Sequence, residues 1–555
     1  MNNTATLRWL AGRIRKRLPG IVLMTAANAA HALLGVYFAL GTRGVIDAAI
    51  SGSTDAFLRA CLKQGLIIAG ILLCQFLTRH TKEHTAMALD RDWKGGLLHE
   101  LFVSDYAKTS RFHSGELLNR LNNDVRIVND GIVSTLPNVA HFVTKLAAAF
   151  LVLSALEPWF ALIISCAGLL VILFTGILRR RLKQLNKHVA EEEGRVSGFL
   201  QEALEKLLMV QAMDVAGEME NRSEKLLDRR FGIQRKRKNI SLFANTSISV
   251  MYYAAGFAAL VWCSGGLLRG TISFGTLTAV TQLVNQLQSP FVSLSGVIPQ
   301  YIAMLASAER LMELEALCPG DQPEPLPREA LTDVDAIVVE KLNFSYDREQ
   351  ILRDASFTLP LGAFAVITGP SGTGKSTLLK LMLGIFRPGS GTISLRRGGE
   401  VIPLSRATRR AFSYVPQGNL LLSGTIRDNL IIAKPQATEE EIRQATYVSA
   451  MDEYLPQLPL GLDTPLGESG AGLSEGQAQR LALARGILSG APILLLDEST
   501  SALDGETERK VLERIRSLPG RSCIIVTHRS AAVELCDWNL EMRGGNIVVH
   551  RIGNS

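Results

Sequence analysis

The sequence lacks any pair of cysteines at the spacing of a metal site. Its seven cysteines are scattered and odd in number, so neither a disulfide framework nor a zinc site is indicated, and a reducing cytosolic environment fits. Charge is also scarce, since charged residues make up 20% of the chain against 47% hydrophobic residues. This composition excludes a wholly soluble protein, and 555 residues are too many for one ordinary domain. Two unlike parts are therefore expected.

No cleavable signal is expected at the N-terminus. A basic cluster at residues 13–17 precedes an apolar run, but no small-residue cleavage site is obvious and the run continues too far for a signal peptide. The sequence therefore predicts an uncleaved first membrane span after a short basic amphipathic helix. No organellar targeting segment is evident either, which favours the plasma membrane of a bacterium.

Long apolar stretches are abundant instead. A membrane-spanning helix needs about 20 mostly apolar residues, and six stretches qualify: 19–42, 58–78, 134–155, 158–178, 241–268 and 274–304. The basic runs behind the net charge of +7 flank these stretches, so they indicate membrane topology rather than a nucleic-acid partner. The positive-inside rule then places both termini and both long loops in the cytosol.

The connections between the predicted spans differ in length. Those after spans two and four run to roughly 55–60 residues of polar, helix-like sequence, and structureless connections of that length are uncommon. We therefore expect an all-α six-helix transmembrane domain over residues 1–313, with long cytosolic helical extensions. Prolines and acidic residues then predict a linker at 314–335. From residue 336 onward, β-rich runs alternate with helical ones, which predicts an α/β domain over 336–555.

A phosphate-binding motif lies early in the α/β domain. A β-rich run precedes the motif and an apolar helical pattern follows it, which is the context that a P-loop requires. Its backbone N–H groups wrap phosphates, while Lys375 reaches the β- and γ-phosphates and the Ser376 hydroxyl ligates Mg²⁺. The predicted ATP-binding residues are Gly369, Pro370, Ser371, Gly372, Thr373, Gly374, Lys375, Ser376 and Thr377.

A second acidic motif, "APILLLDEST", follows downstream. Its aliphatic run predicts a buried strand that delivers Asp497 and Glu498 at its C-terminal edge. Asp497 suits a metal ion, and Glu498 suits orienting or deprotonating an attacking water. Alone, such a pair often marks only a strand that meets a polar loop, but its position after a P-loop favours catalysis.

With these motifs in order, nearly the whole chain resembles an ATP-binding cassette (ABC) exporter half-transporter, in which a six-span membrane domain precedes an α/β P-loop ATPase cassette. The resemblance implies that Tyr346 in "NFSY" stacks on adenine and that Gln417 in "YVPQ" senses and ligates Mg²⁺. It also implies that His528 in "IIVTHR" contacts the γ-phosphate and that Asp504 in "SALD" lies in a loop that contacts a partner chain. Each of these residues, taken singly, also fits a structural role.

Four further stretches resemble exporters in particular. "SGTIRDNL" and "TPLGESG" are similar to exporter cassette segments, and "GELLNRLNNDV" and "ASAER" are similar to exporter membrane-domain segments. Only about a dozen residues precede the basic cluster, far below domain size, so the N-terminal peptidase domain of some peptide exporters is not expected.

The signature motif departs from the family pattern. The chain has "LSEGQAQR" where the family has LSGGQ, so that Glu475 replaces a glycine. The resemblance implies that Ser474, Glu475, Gly476 and Gln477 act in trans on the γ-phosphate held by the partner's P-loop. We expect Glu475 to point away from that phosphate as a tolerated variant; the alternative is a weakened composite site in a heterodimer.

Several polar residues fall within the predicted spans. An ionisable residue inside a span is a functional hypothesis by default, and His141 and Lys145 lie at i and i+4 on one helix face. A substrate cavity and hydrogen bonding between helices explain these residues about equally well. The set comprises His31, His141, Lys145, Asn245, Tyr252, Tyr253, Gln282, Asn285, Gln286 and Gln288. Pro290 is expected to kink the sixth span.

The combined prediction is an ATP-driven exporter that works as a dimer in the lipid bilayer with ATP and Mg²⁺. A homodimer is favoured, and the alternatives are one subunit of a heterodimer and a nucleotide-gated regulatory membrane protein. Against the last alternative, Glu498 and His528 are both retained. Lipid, drug, peptide and siderophore cargo all remain open.

Overall fold

The computed structural model describes residues 3–318, 324–331, 333–346, 349–418, 421–467 and 470–552. Within these ranges the side chains at 3, 164–180, 183, 248, 288–289, 291–292, 294–296, 298 and 530–531 lie outside the description. The chain forms two compact units. The first contains Met1–Glu100 and Ser114–Glu315, and the second contains Leu101–His113 and Ala316–Ser555.

Helices make up the first unit. The six longest are α2, α3, α7, α8, α10 and α11, and 3₁₀ or π-helical turns join several of the shorter ones. The helices up to residue 315 are α1 Asn3–Ile14, α2 Leu18–Ile50, α3 Thr54–Val103, α4 Tyr106–Thr109, α5 Ser114–Asn119, α6 Val125–Asp130, α7 Leu136–Leu156, α8 Pro158–Glu205, α9 Leu207–Ala212, α10 Ala216–Leu268 and α11 Phe274–Glu315. Of these, α4 belongs to the second unit.

Four helical segments of the described chain are long and apolar enough to cross a membrane. They are Thr4–Ile50, Thr54–Val103, Ser114–Leu156 and Ala216–Leu268, and they contain the predicted spans 19–42, 58–78, 134–155 and 241–268. The other two predicted spans fall in α8 and α11, where part of the side chains lies outside the description. The predicted helical extensions are confirmed, because α3, α8 and α10 each continue well beyond the apolar stretch.

Two of the exporter-like stretches meet in the first unit. Asp124 is fully buried in the π-helical turn Arg120–Asp124, and its carboxylate accepts hydrogen bonds from Arg310 Nε at 2.8 Å and Ser307 Oγ at 2.9 Å on α11. Arg120, from the same turn, donates to the Arg310 carbonyl and to Glu313. The segments "GELLNRLNNDV" and "ASAER" are thus bound to each other across more than 180 residues.

Several polar residues of the predicted spans bond between helices. The Tyr252 hydroxyl donates to Asn285 Oδ1 at 2.6 Å, and Gln286 Nε2 donates to the Gly35 carbonyl at 2.9 Å. These bonds favour the packing explanation for Tyr252, Asn285 and Gln286. The side chain of Gln288 lies outside the described residues, and Pro290 lies inside α11 together with Pro299.

The described residues of the second unit form three sheets. The six-stranded sheet has the order β12-β11-β3-β10-β9-β6, the four-stranded sheet has the order β2-β1-β4-β5, and β7 pairs with β8. The strands are β1 Ala336–Tyr346, β2 Glu349–Pro360, β3 Phe364–Thr368, β4 Ser390–Arg397, β5 Glu400–Pro403, β6 Phe412–Val415, β7 Gly424–Thr425, β8 Pro465–Leu466, β9 Ile493–Asp497, β10 Ser522–Val526, β11 Trp538–Arg543 and β12 Asn546–Arg551.

Helices cover both faces of the six-stranded sheet. Strands β9 and β10 are buried along their whole length, as expected for parallel strands with two covered faces. Along β9, Leu494 and Leu496 pack in one hydrophobic cluster and Leu495 in the other. The helices of this unit after residue 315 are α12 Lys375–Met382, α13 Ile426–Ile431, α14 Glu439–Val448, α15 Glu475–Leu488, α16 Gly505–Arg516 and α17 Ser530–Glu534.

We expect Asp124→Ala to destabilise the membrane unit. The change removes the acceptor of Ser307 and of the Arg310 guanidinium, whose side chain is 45% exposed, and losing hydrogen bonds to a charged group costs about 1.5–3 kcal/mol. Thermal unfolding in nanodiscs should therefore shift down by several degrees. The control is Asp92→Ala, because Asp92 pairs with Arg17 where both side chains are more than a third exposed and such pairs contribute little. Equal shifts of the unfolding temperature in the two variants would show that the Asp124 contact stabilises the unit no more than an exposed ion pair does.

Candidate nucleotide-binding and catalytic site

Four segments of the second unit converge at one edge of the six-stranded sheet. The strands β3, β10, β9 and β6 are adjacent and parallel, so their C-terminal ends lie side by side. The P-loop follows β3, His528 follows β10, Asp497 ends β9, and Gln417 follows β6. The topology therefore brings together residues that are far apart in the sequence.

Glycines at the P-loop adopt backbone conformations that other residues rarely reach. Gly372 and Gly374 have φ of 83° and 96°, in the region that favours glycine. A Cβ at Gly374 would approach the Ile351 side chain to 2.2 Å, and a Cβ at Gly369 would approach the Met542 carbonyl oxygen to 2.6 Å. The loop can therefore fold tightly over the start of α12, where backbone N–H groups and the helix dipole favour phosphate.

Lys375 lies within this loop. Its Nζ donates to the carbonyl oxygens of Gly369 and Pro370 at 2.9 Å each. Burial lowers the pKa of the Lys375 ammonium, while the nearby charges of Glu498 and Asp497 oppose that shift. The ammonium group is thus held where a phosphate in the loop would meet it.

Asp497 connects the P-loop helix to strand β6. Its side chain is 2% exposed, and its carboxylate accepts hydrogen bonds from Ser376 Oγ at 2.9 Å and from the Tyr414 hydroxyl at 2.9 Å. Burial, together with the charge of Asp497, raises the pKa of Tyr414, so the phenol remains a donor. Carboxylate and hydroxyl oxygens are the ligands that Mg²⁺ prefers, so the pair of Ser376 and Asp497 fits this metal.

Glu498 lies between two of the other predicted site residues. Gln417 Nε2 donates to Glu498 Oε2 at 2.6 Å, and His528 Nε2 lies 3.8 Å from Glu498 Oε1. The backbone of Glu498 is left-handed with φ of 49°, which costs about 1–3 kcal/mol in a residue other than glycine. This conformation turns the carboxylate out of the strand toward the converging loops.

Tyr346 ends β1 near the other side of the P-loop. Its ring packs edge-on against Phe344 and Phe386, with centroids 4.9 Å and 5.5 Å away. Its hydroxyl lies 3.2 Å from Thr377 Oγ1, and the residue is 40% exposed. One face of this aromatic cluster is therefore open to a flat ligand beside the phosphate loop.

The signature residues form the N-terminus of α15. Ser474 Oγ accepts a hydrogen bond from Gln477 N, and Gln477 Oε1 accepts one from Ser474 N, which makes a capping box. A Cβ at Gly476 would meet the Ala502 carbonyl oxygen at 3.1 Å, so this glycine allows close packing. Glu475 is exposed at the first helical position, where a carboxylate is favourable. Position 476 of the signature motif is therefore sterically restricted to a small residue, whereas position 475 is not.

The loop after Glu498 is held by α15, α16 and the segment after His528. Gln479 Oε1 accepts a hydrogen bond from Ala502 N at 2.9 Å. Arg529 donates to the Ser501 and Leu503 carbonyls at 2.5 Å each. Asp504 caps α16 by accepting a hydrogen bond from Thr507 N, and this bond lowers the pKa of its carboxyl group. The structure thus gives Asp504 a local role in addition to the dimer contact predicted for it.

The buried carboxylate of Glu508 holds the loop between Glu498 and Asp504 in place. Glu508 is fully buried, and its two oxygens accept hydrogen bonds from Thr500 Oγ1 at 2.7 Å and from Arg529 at 3.1 Å. The loop between Glu498 and Asp504 and the segment after β10 are therefore joined through one ion pair.

The sequence motifs predict no role for Tyr414, Glu508 or Arg529. Tyr414 stands three residues before Gln417 in "YVPQ", and Arg529 directly follows His528. The positions of Tyr414 and Arg529 near two predicted site residues are the only sequence features that indicate a role for them. Their partners lie on other strands and helices, so the contacts follow from the sheet order, which the motifs do not specify.

Together, a P-loop, two strand-end carboxylates and a capped signature helix define a nucleotide-binding cassette joined to a membrane-spanning helical unit. Residues 21–291 match the family described as the ABC transporter transmembrane region, and residues 352–501 match the family described as ABC transporter. The chain belongs to the ABC transporters, and within them it is an ATPase-coupled half-transporter, in which a membrane domain precedes one ATPase cassette.

Individual relatives cover most of the chain. A probable ABC transporter ATP-binding/permease protein of Haemophilus influenzae is 30% identical over 454 residues, which are 80% of each chain. An ATP-dependent lipid A-core flippase of Desulfotalea psychrophila is 27% identical over 96% of this chain and 93% of its own. A solved bacterial Atm1-family ABC exporter with ATP bound has the same fold, with a TM-score of 0.78, 23% identity and coverage of 96% and 94%.

We expect Arg529→Met to destabilise the nucleotide-binding unit by about 2–3 kcal/mol, because Glu508 then remains buried without its cation. Thermal unfolding of the full chain in nanodiscs measures the effect. Adding Glu508→Gln should recover part of the loss, since the double variant buries no unpaired charge.

The control is Arg543→Met. Arg543 pairs with Glu541 while its own side chain is 76% exposed, so the change should cost less than about 0.5 kcal/mol. If Arg529→Met and Arg543→Met unfold at the same temperature, Arg529 does not stabilise the buried carboxylate.

Proposed function

We propose that this chain exports a substrate across the cytoplasmic membrane of a bacterium by alternating access, as a dimer that hydrolyses ATP at composite sites. The observation that carries the proposal is the placement of the Glu498 carboxylate between Gln417 and His528, beside the Ser376–Asp497 pair. The proposed domain limits are 1–313 for the transmembrane domain, 314–335 for the linker and 336–555 for the ATPase domain. Both termini then lie in the cytosol.

Each site residue has a distinct proposed role. Lys375 and the P-loop N–H groups bind the phosphates of ATP, and Tyr346 stacks on the adenine. Ser376, Asp497 and Gln417 would hold Mg²⁺, which neutralises charge on the phosphates when bound. Glu498 accepts a proton from the attacking water, and His528 donates a hydrogen bond toward the γ-phosphate.

A second chain is required to complete the site. Among the described residues, no hydrogen bond or ion pair joins the P-loop to Ser474, Glu475, Gly476 or Gln477. The N-terminus of α15 nevertheless offers N–H groups and a positive dipole end to an anion. A facing copy that supplies this helix end to the other chain's ATP would link ATP binding to closure of the dimer, and hydrolysis would then reopen it.

We expect Glu498→Gln to lower ATP turnover about 10²-fold or more, because the amide cannot accept the proton of the water. The assay compares purified variants in lipid nanodiscs, with two chains per particle verified by mass. ATP binding should be retained, since the phosphate contacts come from other residues. The control is Glu506→Gln, which removes an exposed carboxylate from the first turn of α16 and should leave turnover unchanged. Substantial turnover in Glu498→Gln would rule out the assigned base.

We expect Glu475→Gly to change turnover by less than about twofold, because a side chain exposed at the start of α15 need not face a phosphate. The measurement is the same ATPase assay on the purified chain alone. A large gain in turnover would instead favour the heterodimer alternative, in which this chain contributes an impaired signature to one site.

A further inference from the structure

Three basic side chains from two membrane helices cluster in the first unit. The imidazole rings of His31 on α2 and His141 on α7 are stacked, with centroids 5.3 Å apart and planes inclined by 24°. Lys145 lies one turn beyond His141 and is close enough to both rings for electrostatic interaction. All three side chains are half-buried. The cluster concentrates three groups that can carry positive charge at one place within the predicted spans.

Hydrogen bonds leave one ring nitrogen of each histidine available. His141 Nδ1 lies 2.9 Å from the Asn28 carbonyl oxygen, and a carbonyl only accepts, so Nδ1 donates. His31 Nε2 lies 3.1 Å from Gln75 Nε2 on α3, and an amide nitrogen only donates, so His31 Nε2 accepts and the ring proton is on Nδ1. In the described part of the chain, His31 Nδ1 and His141 Nε2 make no hydrogen bond.

Lys145 has no counter-ion among the residues that the structure describes. Across all six predicted spans the sequence contains no aspartate or glutamate, and among the described residues Lys145 forms no ion pair or hydrogen bond. The nearest acidic residue along α3 is Glu83, two helical turns beyond Gln75. A buried charge in a low-dielectric environment is costly unless it is paired.

The lysine is also too deep to reach the membrane surface. It lies near the middle of the predicted span 134–155, about 15 Å from either end at a rise of 1.5 Å per residue. A lysine near a helix end relieves its charge by snorkelling to the interface, and one at this depth cannot. An anion that binds within the membrane would supply the partner that keeps this ammonium group charged.

We propose that His31, His141 and Lys145 bind the anionic headgroup, carboxylate or phosphate, of an amphiphilic cargo. Lys145 supplies the charge, His31 Nδ1 donates a hydrogen bond, and His141 Nε2 donates one when the His141 ring is protonated. The apolar part of the molecule would lie along exposed side chains such as Leu72 and Phe76, which flank Gln75 on α3 and are 59% and 68% exposed. This inference deepens the proposed function by naming the class of cargo, and it rests on that function only for transport.

The test measures binding separately from turnover. The probe is labelled dodecanoate, with dodecanol as its neutral analogue, added to nucleotide-free protein in nanodiscs of phosphatidylcholine. We expect wild type to bind dodecanoate at least tenfold more tightly than dodecanol. Lys145→Met should remove this preference, and Lys145→Arg should keep it. The control is Lys63→Met, which removes a lysine of the predicted span 58–78 that is exposed, and it should bind as wild type does.

A second arm distinguishes a membrane lipid from a free amphiphile as the source of the headgroup. Phosphatidylglycerol is mixed into the nanodiscs, and displacement of dodecanoate from wild type identifies an anionic phospholipid as a ligand of the same cluster. Without displacement, the cluster takes single-chain anions, and either result supports the anionic site.

Other results would overturn the inference. Equal binding of dodecanoate and dodecanol by wild type, or unchanged preference in Lys145→Met, excludes the cluster as an anion site. Thermal unfolding provides an independent check, because replacing an unpaired ammonium by methionine should leave the unfolding temperature equal or higher. A fall of several degrees would show that Lys145 has a structural partner instead. Absence of ATPase activity in wild type would count against the proposed function and would leave the binding result standing.

Discussion

The buried carboxylate of Asp497 is the contact on which the ATP site depends. One of its oxygens accepts from Ser376 at the start of α12, and the other accepts from Tyr414 on β6. The strand that ends at Asp497 therefore fixes the position of the phosphate loop on one side and of the Gln417 loop on the other. Glu498 follows directly, so its place between Gln417 and His528 is set by the same strand.

The loop after Glu498 connects the edge of the sheet that carries the ATP site to neighbouring segments. The loop after Glu498 is bound to α15 through Gln479 and to the segment after β10 through Arg529. A displacement of the signature helix therefore reaches the loop beside Glu498 through the part-buried hydrogen bond from Ala502 N to Gln479 Oε1. The buried Glu508 provides a fixed point for these contacts, since its carboxylate cannot leave its cation without a large cost.

Much of the architecture could be predicted from local sequence. Apolar runs predict the spans within Leu18–Ile50 and Ala216–Leu268, and the P-loop residues 369–377 follow a strand and lead into the first turn of a helix, as the motif requires. The contacts of Tyr414, Arg529 and Asp124 could not be predicted in this way. Each joins segments far apart in the chain, and its partner is decided by strand order and helix packing rather than by spacing within a motif. The exposure of Glu475 could not be predicted in this way either, because it depends on the residue at which α15 begins.

The single lysine in α7 has a consequence for how the chain enters the membrane. A lysine at the centre of a span opposes insertion by about 2.5–3.5 kcal/mol, while each leucine, valine or phenylalanine favours it by about 0.3–0.6 kcal/mol. The ten leucine, valine and phenylalanine residues of Leu136–Leu156 together favour insertion by about 3–6 kcal/mol, a range that overlaps this cost. A second lysine in this helix would raise the cost to about 5–7 kcal/mol, above most of that range, which limits how strongly basic the site can become without help from neighbouring helices during biogenesis.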